Sequence, residues 1–352
     1  MQLKPQAVKL GGTATETQEP NYAFAGIAAS YSIYDFGRRA GRILKEHAYT
    51  EAASQVFLSS MSSAALQVIE AYFSVLEADK LALAADEEVA QITEHRRVAQ
   101  VLFEEGVVTR NDVLQADVRH ASAVQKQLTM RNRVENSWLL LNFLTGNAPD
   151  FRGELDDNTT TVIGSGPTGS DDSDRAGKRH DIMAERLILE ARGYEVQEHR
   201  EWYLPELYTR LGMDYVQNDK VREQAIFSAT LGIRINLFDG FAAEAARGKA
   251  VKQRSRQHDA LRLAQQRALL EIGIARNDET IARERISVSE AAIRQSDENL
   301  RINRERYQER IGTATEVLDA QTLSTQAKTE YYRALYGYQV AAARLQNALG
   351  EL

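Results

Sequence analysis

Residues 30–39 read SYSIYDFGRR and residues 234–243 read RINLFDGFAA. In both stretches an alternation of apolar residues ends at an aspartate flanked by aromatic residues and glycine. Asp35 and Asp239 are 204 positions apart. The same spacing recurs at Thr109 and Thr313, Val113 and Val317, Ala116 and Ala320, and Gly146 and Gly350. Because no gap is needed between these pairs, the sequence predicts an internal duplication whose length is fixed.

A period of two precedes each aspartate. Residues 227–237 alternate apolar with polar side chains, residues 25–33 alternate apolar with small ones, and residues 207–215 repeat the pattern. This length and alternation are typical of a tilted transmembrane β-strand. Aromatic residues that suit the membrane interfaces cluster at the strand ends: Tyr22, Phe24, Tyr34, Phe36, Trp202, Tyr203, Tyr208, Tyr215, Phe227 and Phe238. For any single strand, a half-buried sheet of a soluble protein is the more common explanation, whereas two such hairpins that each lead into a long helix favour the membrane.

A long helix follows each aspartate. Residues 37–104 contain no proline and one further glycine, Gly41, and their apolar residues recur in steps of three and four. Such a helix is about 100 Å long at 1.5 Å per residue. After a break, residues 112–144 resume the helical pattern, and residues 241–308 and 315–349 repeat both parts. The sequence therefore predicts two hairpins of one long and one short helix, which a coiled-coil rod would also explain.

Composition narrows the classes of protein. The chain has 352 residues, a net charge of -7, no cysteine and five prolines. It offers no basic face for nucleic acid and no disulfide or thiolate metal site. No run of 18 apolar residues is present, so we expect no transmembrane helix. The start, MQLKPQAVKL, lacks the apolar region of a signal peptide.

Catalytic motifs are missing from the sequence. The six histidines show no metalloprotease spacing, and neither a glycine-rich phosphate loop nor a nucleophile elbow is found. We therefore expect no enzyme activity, no cofactor and no metal site.

The motifs and their order resemble the TolC-like outer-membrane efflux and secretion channels, over nearly the whole chain. The resemblance lies in the strand entry YLPEL, in the corners YDFG and FDG, and in the helix turns FEEGVVTRNDVLQA and YQERIGTATEVLDAQ. These motifs occupy residues 203–207, 34–37, 238–240, 103–116 and 307–321.

The resemblance implies a mainly α fold with a β-barrel part. In the family, three protomers each give four strands to one 12-stranded transmembrane barrel in outer-membrane lipid. Their long antiparallel helical hairpins continue as a tunnel in the periplasm. The aspartate corner would mark the change from strand to helix, and equal lengths would bring both hairpin tips to the same depth.

The implied domain boundaries follow the duplication. The first half would cover residues 1–146, with a strand pair over about 5–36 and a hairpin over 37–146. Residues 147–180 would form an equatorial segment around the tunnel, although their composition is that of a flexible linker. The second half would cover 181–350, with a short helix (181–201), a strand pair (about 203–238) and a hairpin (241–350).

The implied function is export across the periplasm and the outer membrane. The chain would be the channel of a tripartite efflux pump or of a type I secretion system, exporting small molecules or polypeptides. Its partners would be two further copies of itself, a periplasmic adaptor and an inner-membrane transporter of the RND, ABC or MFS type. The alternative is a periplasmic coiled-coil adaptor without a barrel.

The turns between helices are the predicted functional sites. Residues 106–112 and 310–316 would dock the adaptor, and the residues singled out there are Gly106, Arg110, Asp112, Arg310, Gly312 and Thr313. Glu316 and Asp319 share a helix face and match an acidic pair that gates the family's pore. A favourable interaction with the helix dipole is the simpler explanation for both acids.

Arg310 stands where the family usually has glycine, and some members carry a locking arginine about where this chain has Gly312. The resemblance suggests that Arg310 takes over the lock by pairing with Asp112 or with an acid of a neighbouring protomer.

The family begins with a signal peptide and helices that precede the first strand. This chain begins at MQLKPQ, so we expect an N-terminal truncation. The route of export and a lipidated N-terminal cysteine are left open.

Overall fold

The structure is a computed structural model that describes residues 7–10, 12–16, 23–157, 172–200, 203–217 and 223–352. In chain order its elements are β1 (Ala7–Leu10), β2 (Thr13–Glu16), β3 (Ala23–Tyr34), α1 (Arg38–Glu104), α2 (Arg110–Thr145), α3 (Asp172–Lys178), α4 (His180–Arg200), β4 (Glu206–Gln217), β5 (Ala225–Arg234), α5 (Ala242–Gln308) and α6 (Ala314–Leu349). The expected fold class, mainly helical with a smaller sheet, is confirmed.

The duplication is visible in the lengths of the helices. The long helices α1 and α5 have 67 residues each, and the short helices α2 and α6 have 36 residues each. Each helix of the second half begins 204 residues after its counterpart, at Ala242 against Arg38 and at Ala314 against Arg110. The internal duplication predicted from the sequence is therefore confirmed.

The chain divides into two compact units, and each unit contains segments from both halves of the sequence. One unit contains residues 1–53 and 185–261, and the other contains residues 54–184 and 262–352. The first unit holds the strands with the starts of the long helices, and the second holds the helical hairpins. Each unit is thus built from corresponding parts of both copies.

The first unit contains a three-stranded antiparallel sheet in the order β3-β4-β5. Its register aligns the apolar residues of neighbouring strands, as in Ile27 opposite Met213 and Leu211 opposite Ala229. Large apolar side chains on this sheet are exposed, including Ile27 at 80% and Phe227 at 76%. An apolar face without a protein core above it is expected of strands that contact lipid.

The opposite face of the sheet carries mainly small and polar residues, with Phe24, Val216 and Ile226 at one end. Each of its glycines lies under a side chain of the paired strand. A Cβ on Gly26 would lie 2.6 Å from Oδ1 of Asp214, and one on Gly212 would lie 2.8 Å from Oγ of Ser228. Glycine therefore makes room for polar groups on this face.

The first strand pair differs from the expectation. β1 pairs with β2 in a hairpin of its own through Gly12, whose φ is 91°, rather than with β3. Residues 1–6, 11 and 17–22 of the predicted 5–36 pair lie outside the described residues. Four-residue strands on either side of a glycine turn form a tight local hairpin, which explains the pairing.

Both aspartate corners cap the helix that follows. The Asp35 carboxylate accepts the N–H of Gly37 at 3.2 Å and that of Arg39 at 2.8 Å. Asp239 accepts the N–H of Ala243 at 2.9 Å. Because the first N–H groups of a helix lack partners within it, an aspartate at this position starts the helix.

The two residues after each aspartate have positive φ. These are Phe36 and Gly37 in the first copy, with φ of 56° and 98°, and Gly240 and Phe241 in the second, with φ of 68° and 66°. The order of phenylalanine and glycine is reversed, while the backbone is kept. Each phenylalanine accepts a strained conformation so that the strand can turn into the helix.

The start of α1 packs on α4 in the first unit. Glu198 accepts hydrogen bonds from Arg42 at 3.0 Å and from Lys45 at 3.1 Å. The two helices are close at Gly41, where a Cβ would lie in ordinary contact, 3.8 Å from the carbonyl oxygen of Tyr194. This short helix was expected over residues 181–201, and the structure has it at His180–Arg200.

The helices of the second unit pack through small residues. Alanines of all four long elements are nearly fully buried, among them Ala78, Ala116, Ala268 and Ala343. Alanine at the contact allows helix axes to come close, and this explains how long helices pack with few aromatic residues.

Residues 151–157 lie against the hairpins. The hydroxyl of Tyr72 donates to the Asp156 carbonyl at 2.6 Å, that of Tyr336 donates to the Asp157 carboxylate at 2.8 Å, and Lys80 is 2.7 Å from the same carboxylate. Residues 158–171 of the predicted equatorial segment lie outside the described residues.

The short helix α3 was not predicted. Its sequence DSDRAGK has Asp172 and Asp174 in the first turn and Arg175 and Lys178 in the last, an order that favours the helix dipole. Arg276 of α5 binds Asp172 through two hydrogen bonds of 2.7 and 2.8 Å and fixes this helix to the second unit.

One described helix, α1, has an 18-residue window that is long and apolar enough to cross a membrane by length and composition. The prediction of no such helix rested on continuous apolar runs, whereas this window has a mean hydropathy of 1.2 because it contains few charges. Only 6% of this window is buried within the chain.

Candidate functional site at the hairpin tips

The turns α1–α2 and α5–α6 have the same backbone hydrogen bonds. Gly106 N–H donates to the Phe103 carbonyl at 3.0 Å, and Arg310 N–H donates to the Tyr307 carbonyl at 3.1 Å. One residue later, Val107 N–H donates to the Leu102 carbonyl at 2.8 Å, and its counterpart in the second turn has the same length. The two tips are therefore copies of one turn, 204 residues apart.

The turn needs a residue with positive φ, and the two copies supply different ones. Gly106 has a φ of 74° and Arg310 a φ of 65°. This conformation costs a residue with a side chain about 1–2 kcal/mol relative to glycine. Arg310 is thus held in a strained backbone at the position that glycine occupies in the first tip.

A capping box begins the short helix after each turn. The Asp112 carboxylate accepts the N–H of Thr109 at 2.9 Å and its hydroxyl at 2.8 Å. The Glu316 carboxylate accepts the N–H of Thr313 at 2.9 Å, and the Thr313 hydroxyl accepts the N–H of Glu316 at 3.3 Å. Asp112, Thr313 and Glu316 therefore have a structural role in starting α2 and α6.

The acidic pair of α6 is exposed, as a pore position requires. The side chains of Glu316 and Asp319 are 43% and 59% exposed. Arg306 lies 3.8 Å from Glu316, and Arg119 of α2 lies 3.4 Å from Asp319. Both acids are partly neutralised within the chain, and their role in the gate stays a prediction.

Among the described residues the side chain of Arg310 has no ion pair, and Asp112 is used in its capping box. Pairing of these two residues is therefore not present within the single chain. Arg110 is exposed at the other tip. Gly312 is crowded, because a Cβ there would lie 3.1 Å from Oε2 of Glu316 and 3.2 Å from Cβ of Arg306.

A buried polar cluster beside the tips was missed by sequence reasoning. His95 of α1 and Tyr307 of α5 are 8% and 6% exposed, and their ring centroids are 5.4 Å apart. Gln91 accepts hydrogen bonds from Arg304 at 3.0 Å and from Gln321 at 3.1 Å. Gln91 and His95 are four residues apart on α1, and Arg304 and Tyr307 are three apart on α5. Each pair therefore shares a helix face, but the sequence does not show that the two faces meet.

The ionisation of the cluster is shifted by its surroundings. Burial, and next the charge of Arg304, lower the pKa of His95, while Asp112 opposes this shift. Burial, and next the charge of Asp112, raise the pKa of Tyr307. At neutral pH both side chains are therefore uncharged in the folded protein.

A known protein family matches both copies of the repeat. The model of the family described as outer membrane efflux protein matches residues 6–147 and 173–351, both copies of the repeat. The chain belongs to this family. It is an outer-membrane efflux channel protein, and the resemblance found in the sequence is confirmed. No curated protein sequence matches the efflux protein.

Solved channels share the fold of this efflux protein. CusC is 18% identical, with a TM-score of 0.86 over 99% of this chain and 84% of CusC. VceC of Vibrio cholerae is 17% identical, with a TM-score of 0.80 over 94% of this chain and 86% of VceC. CmeC of Campylobacter jejuni is 17% identical, with a TM-score of 0.81 over 99% and 76%.

Membership of the family decides between the predicted classes of function. The family is one of channels rather than enzymes, and its members are trimers that work with an adaptor and an inner-membrane pump. The alternative of a periplasmic adaptor without a barrel is therefore set aside for the efflux protein. Within the described residues, no group of three or more histidine and acidic side chains could hold a metal ion.

Proposed function

We propose that three copies of this efflux protein form one continuous duct, with a 12-stranded barrel in outer-membrane lipid and a helical tunnel in the periplasm. Within the described residues, β3 and β5 each have an edge without a paired strand. An open edge in lipid leaves backbone groups unpaired at a cost of several kcal/mol each. Closure by three copies removes these edges.

The equality of the two hairpins carries this proposal. Helices of 67 and 36 residues in both copies, joined by turns with the same hydrogen bonds, are what a ring of six equivalent hairpins requires. A hairpin of different length would leave a gap at the end of the tunnel.

The two tips would dock a periplasmic adaptor. Around Gly106 and Arg310 the turn exposes apolar side chains, with Val107 at 38% and Ile311 at 73%. Arg110 and Thr313 flank these apolar groups and supply polar contacts at the rim. An apolar centre with a polar rim is the usual composition of a docking surface.

Glu316 and Asp319 would form a ring of six carboxylates at the narrow end of the tunnel. Such a ring concentrates cations and repels itself when the pore narrows. The Arg310 guanidinium, which has no ion pair within the described chain, would hold the ring closed from a neighbouring protomer.

The cargo would be small molecules delivered by an inner-membrane efflux transporter, because the family is described by efflux. Export of polypeptides in a type I secretion system is the second candidate. Co-purification from the native host distinguishes small-molecule efflux from type I secretion, because it identifies the inner-membrane transporter. An RND or MFS transporter would indicate a small-molecule pump. An ABC protein with a secreted substrate would indicate type I secretion.

Cysteine crosslinking tests the docking sites. Cysteines at Val108 and Thr313 are expected to crosslink to the adaptor at high yield, and a cysteine at Asn147 beside the opposite end of α2 is the control. All three variants are made in a chain that has no cysteine of its own. Equal yields at the three positions would show that the adaptor does not bind the tips.

A further inference from the structure

A cavity of about 420 Å³ opens between α1 and α5 close to the tips. Its walls include Gln91 and His95 of α1, Arg304 and Tyr307 of α5, and Val317 of α6. This volume lies within the range of about 300–1,000 Å³ that small-molecule sites occupy, and it exceeds the roughly 30 Å³ that one water molecule needs.

Two of the residues that line this cavity each carry a buried polar atom without a partner. His95 Nε2 and Tyr307 Oη have no hydrogen bond to any described residue, although both side chains are more than nine-tenths buried. A buried polar atom without a partner costs about 1–3 kcal/mol. Two such atoms in the wall of one cavity indicate that a polar ligand completes them.

The charges around the cavity indicate which class of ligand it favours. Arg304 donates to the neutral amide oxygen of Gln91 and has no ion pair among the described residues. The nearby carboxylates are engaged: Glu94 binds Arg97 at 2.7 Å, and Asp112 binds Thr109. The site thus has hydrogen-bond donors and one free positive charge, which repel a metal cation and attract an anion.

We propose that this cavity binds a small oxyanion, a phosphate or a carboxylate, through Arg304, Tyr307 and His95. The Arg304 guanidinium and the Tyr307 hydroxyl donate to its oxygens, and His95 donates through Nε2. Since the donors come from α1 and α5, the anion joins the first hairpin to the second beside the tips. This site is separate from the acids of the proposed gate, and the inference goes beyond the proposed channel function.

Binding is coupled to protonation of His95. Three elements bring charged groups near His95: α1 with Glu94 and Arg97, α2 with Asp112, and α5 with Arg304. The α6 residue in the cavity wall is Val317, which has no titratable group. Arg304 disfavours the imidazolium, so an anion that neutralises this charge raises the pKa of His95. The anion therefore binds with uptake of a proton and binds more tightly as the pH falls.

Isothermal titration calorimetry of the full-length oligomer in detergent tests the proposal. Inorganic phosphate and succinate are titrated separately at constant ionic strength, at about pH 8 and about pH 6. We expect saturable binding of at least one of them, tighter at the lower pH. Titrations in two buffers of different ionisation enthalpy should show proton uptake. Absence of saturable heat from both anions at both pH values would overturn the proposal.

Single substitutions assign the donors. Arg304→Gln and Tyr307→Phe should each weaken binding at least about tenfold, as expected for loss of a hydrogen bond to a charged group. His95→Gln should retain binding at the higher pH and lose the pH dependence. Tyr307→Phe removes one oxygen only and is not expected to unfold the helix, and size-exclusion chromatography confirms the oligomer for each variant.

Arg301→Gln is the matched control. Arg301 lies three residues before Arg304 on α5, is exposed, and pairs with Glu298 at 2.6 Å. Its loss removes the same charge from the same helix and should change the affinity by less than about twofold. An equal loss of affinity in Arg301→Gln and Arg304→Gln would show a general effect of charge and would contradict a built site.

Discussion

Arg310 is the residue at which the two tips differ most. It adopts the left-handed backbone that Gly106 adopts in the first tip, with a φ of 65° against 74°. Replacement of Arg310 by glycine removes backbone strain worth about 1 kcal/mol, but it also removes the proposed lock to a neighbouring protomer, so we expect less stabilisation of the folded protein than about 1 kcal/mol. Gly106→Ala should destabilise it by about 1 kcal/mol, since a Cβ at Gly106 meets no other atom within 4 Å and only the φ angle matters.

Denaturant unfolding followed by circular dichroism measures both changes. A loss of stability in Arg310→Gly would mean that the arginine side chain makes contacts in the oligomer that outweigh the backbone strain. That result would support a lock between protomers.

The acidic pair can be tested without loss of the capping box. The double variant Glu316→Gln, Asp319→Asn keeps an acceptor for the Thr313 N–H and removes the charges. We expect it to lose cation preference and block by multivalent cations in planar bilayers, because the field of the ring is removed. Glu305→Gln on the exposed face of α5 is the control, and an unchanged cation preference in the double variant would place both acids outside the pore.

His95 makes stability depend on pH. Its pKa in the folded protein lies below the usual value of about 6.5. The unfolded chain therefore binds a proton at a higher pH than the folded protein does, and stability falls as the pH decreases through this region. In a buffer without phosphate or carboxylate, the thermal midpoint of His95→Gln should fall less between about pH 7.5 and about pH 5.5 than that of the unchanged protein.

At the residue scale, the sequence predicted where the turn residues lie along the chain better than it predicted which side chains contact each other. The turn residues could be located because positions 106, 109 and 112 have counterparts 204 residues later. Gly106 corresponds to Arg310, Thr109 to Thr313 and Asp112 to Glu316. The cluster of His95 and Tyr307 was not found, because residues more than 200 positions apart meet only when the hairpins pack. A partner of Arg310 on a neighbouring protomer could not be predicted, because the sequence of one chain does not show how the protomers assemble.

At the scale of elements, the aspartate corners connect strand to helix. Asp35→Ala removes the acceptor for the N–H groups of Gly37 and Arg39, and Asp239→Ala removes the acceptor for that of Ala243. Loss of a capping side chain costs about 1 kcal/mol. We expect the larger loss for Asp35→Ala, measured as free energy of unfolding in detergent.

Asn is the control at both corners, because its side-chain oxygen also accepts backbone N–H groups. Asp35→Asn and Asp239→Asn should therefore retain most of the stability that the alanine variants lose. An asparagine variant as unstable as its alanine counterpart would mean that the negative charge, rather than the hydrogen bond, stabilises the corner.

The long elements could be predicted because their periodicity is sustained and proline is rare. The helix predicted over residues 37–104 is found at Arg38–Glu104, and the strand over residues 227–237 overlaps Ala225–Arg234. Among the short elements, the seven-residue α3 was not predicted, whereas the four-residue β1 falls within the strand pair predicted over about 5–36 but pairs with β2. In such elements a local turn or one ion pair, such as that of Asp172 with Arg276, outweighs any pattern.

At the scale of the whole molecule, the two units follow from the duplication. Each copy gives strands to one unit and a hairpin to the other, so neither sequence half forms a compact unit by itself. The apolar face of the sheet suits contact with lipid, and the edges of β3 and β5 that are open within the described residues would be closed by further copies of the chain. The central claim is therefore that three identical chains close one channel.

Native mass spectrometry of the protein extracted from outer membranes in detergent tests this claim most directly. The particle should have three times the mass of the single chain, about 118 kDa for chains of these 352 residues at 39.4 kDa each, and should keep its strand content by circular dichroism. Loss of the trimer should be accompanied by loss of the strands, because the sheet edges are then unpaired. A particle with the mass of a single chain that retains the full strand content would contradict the account.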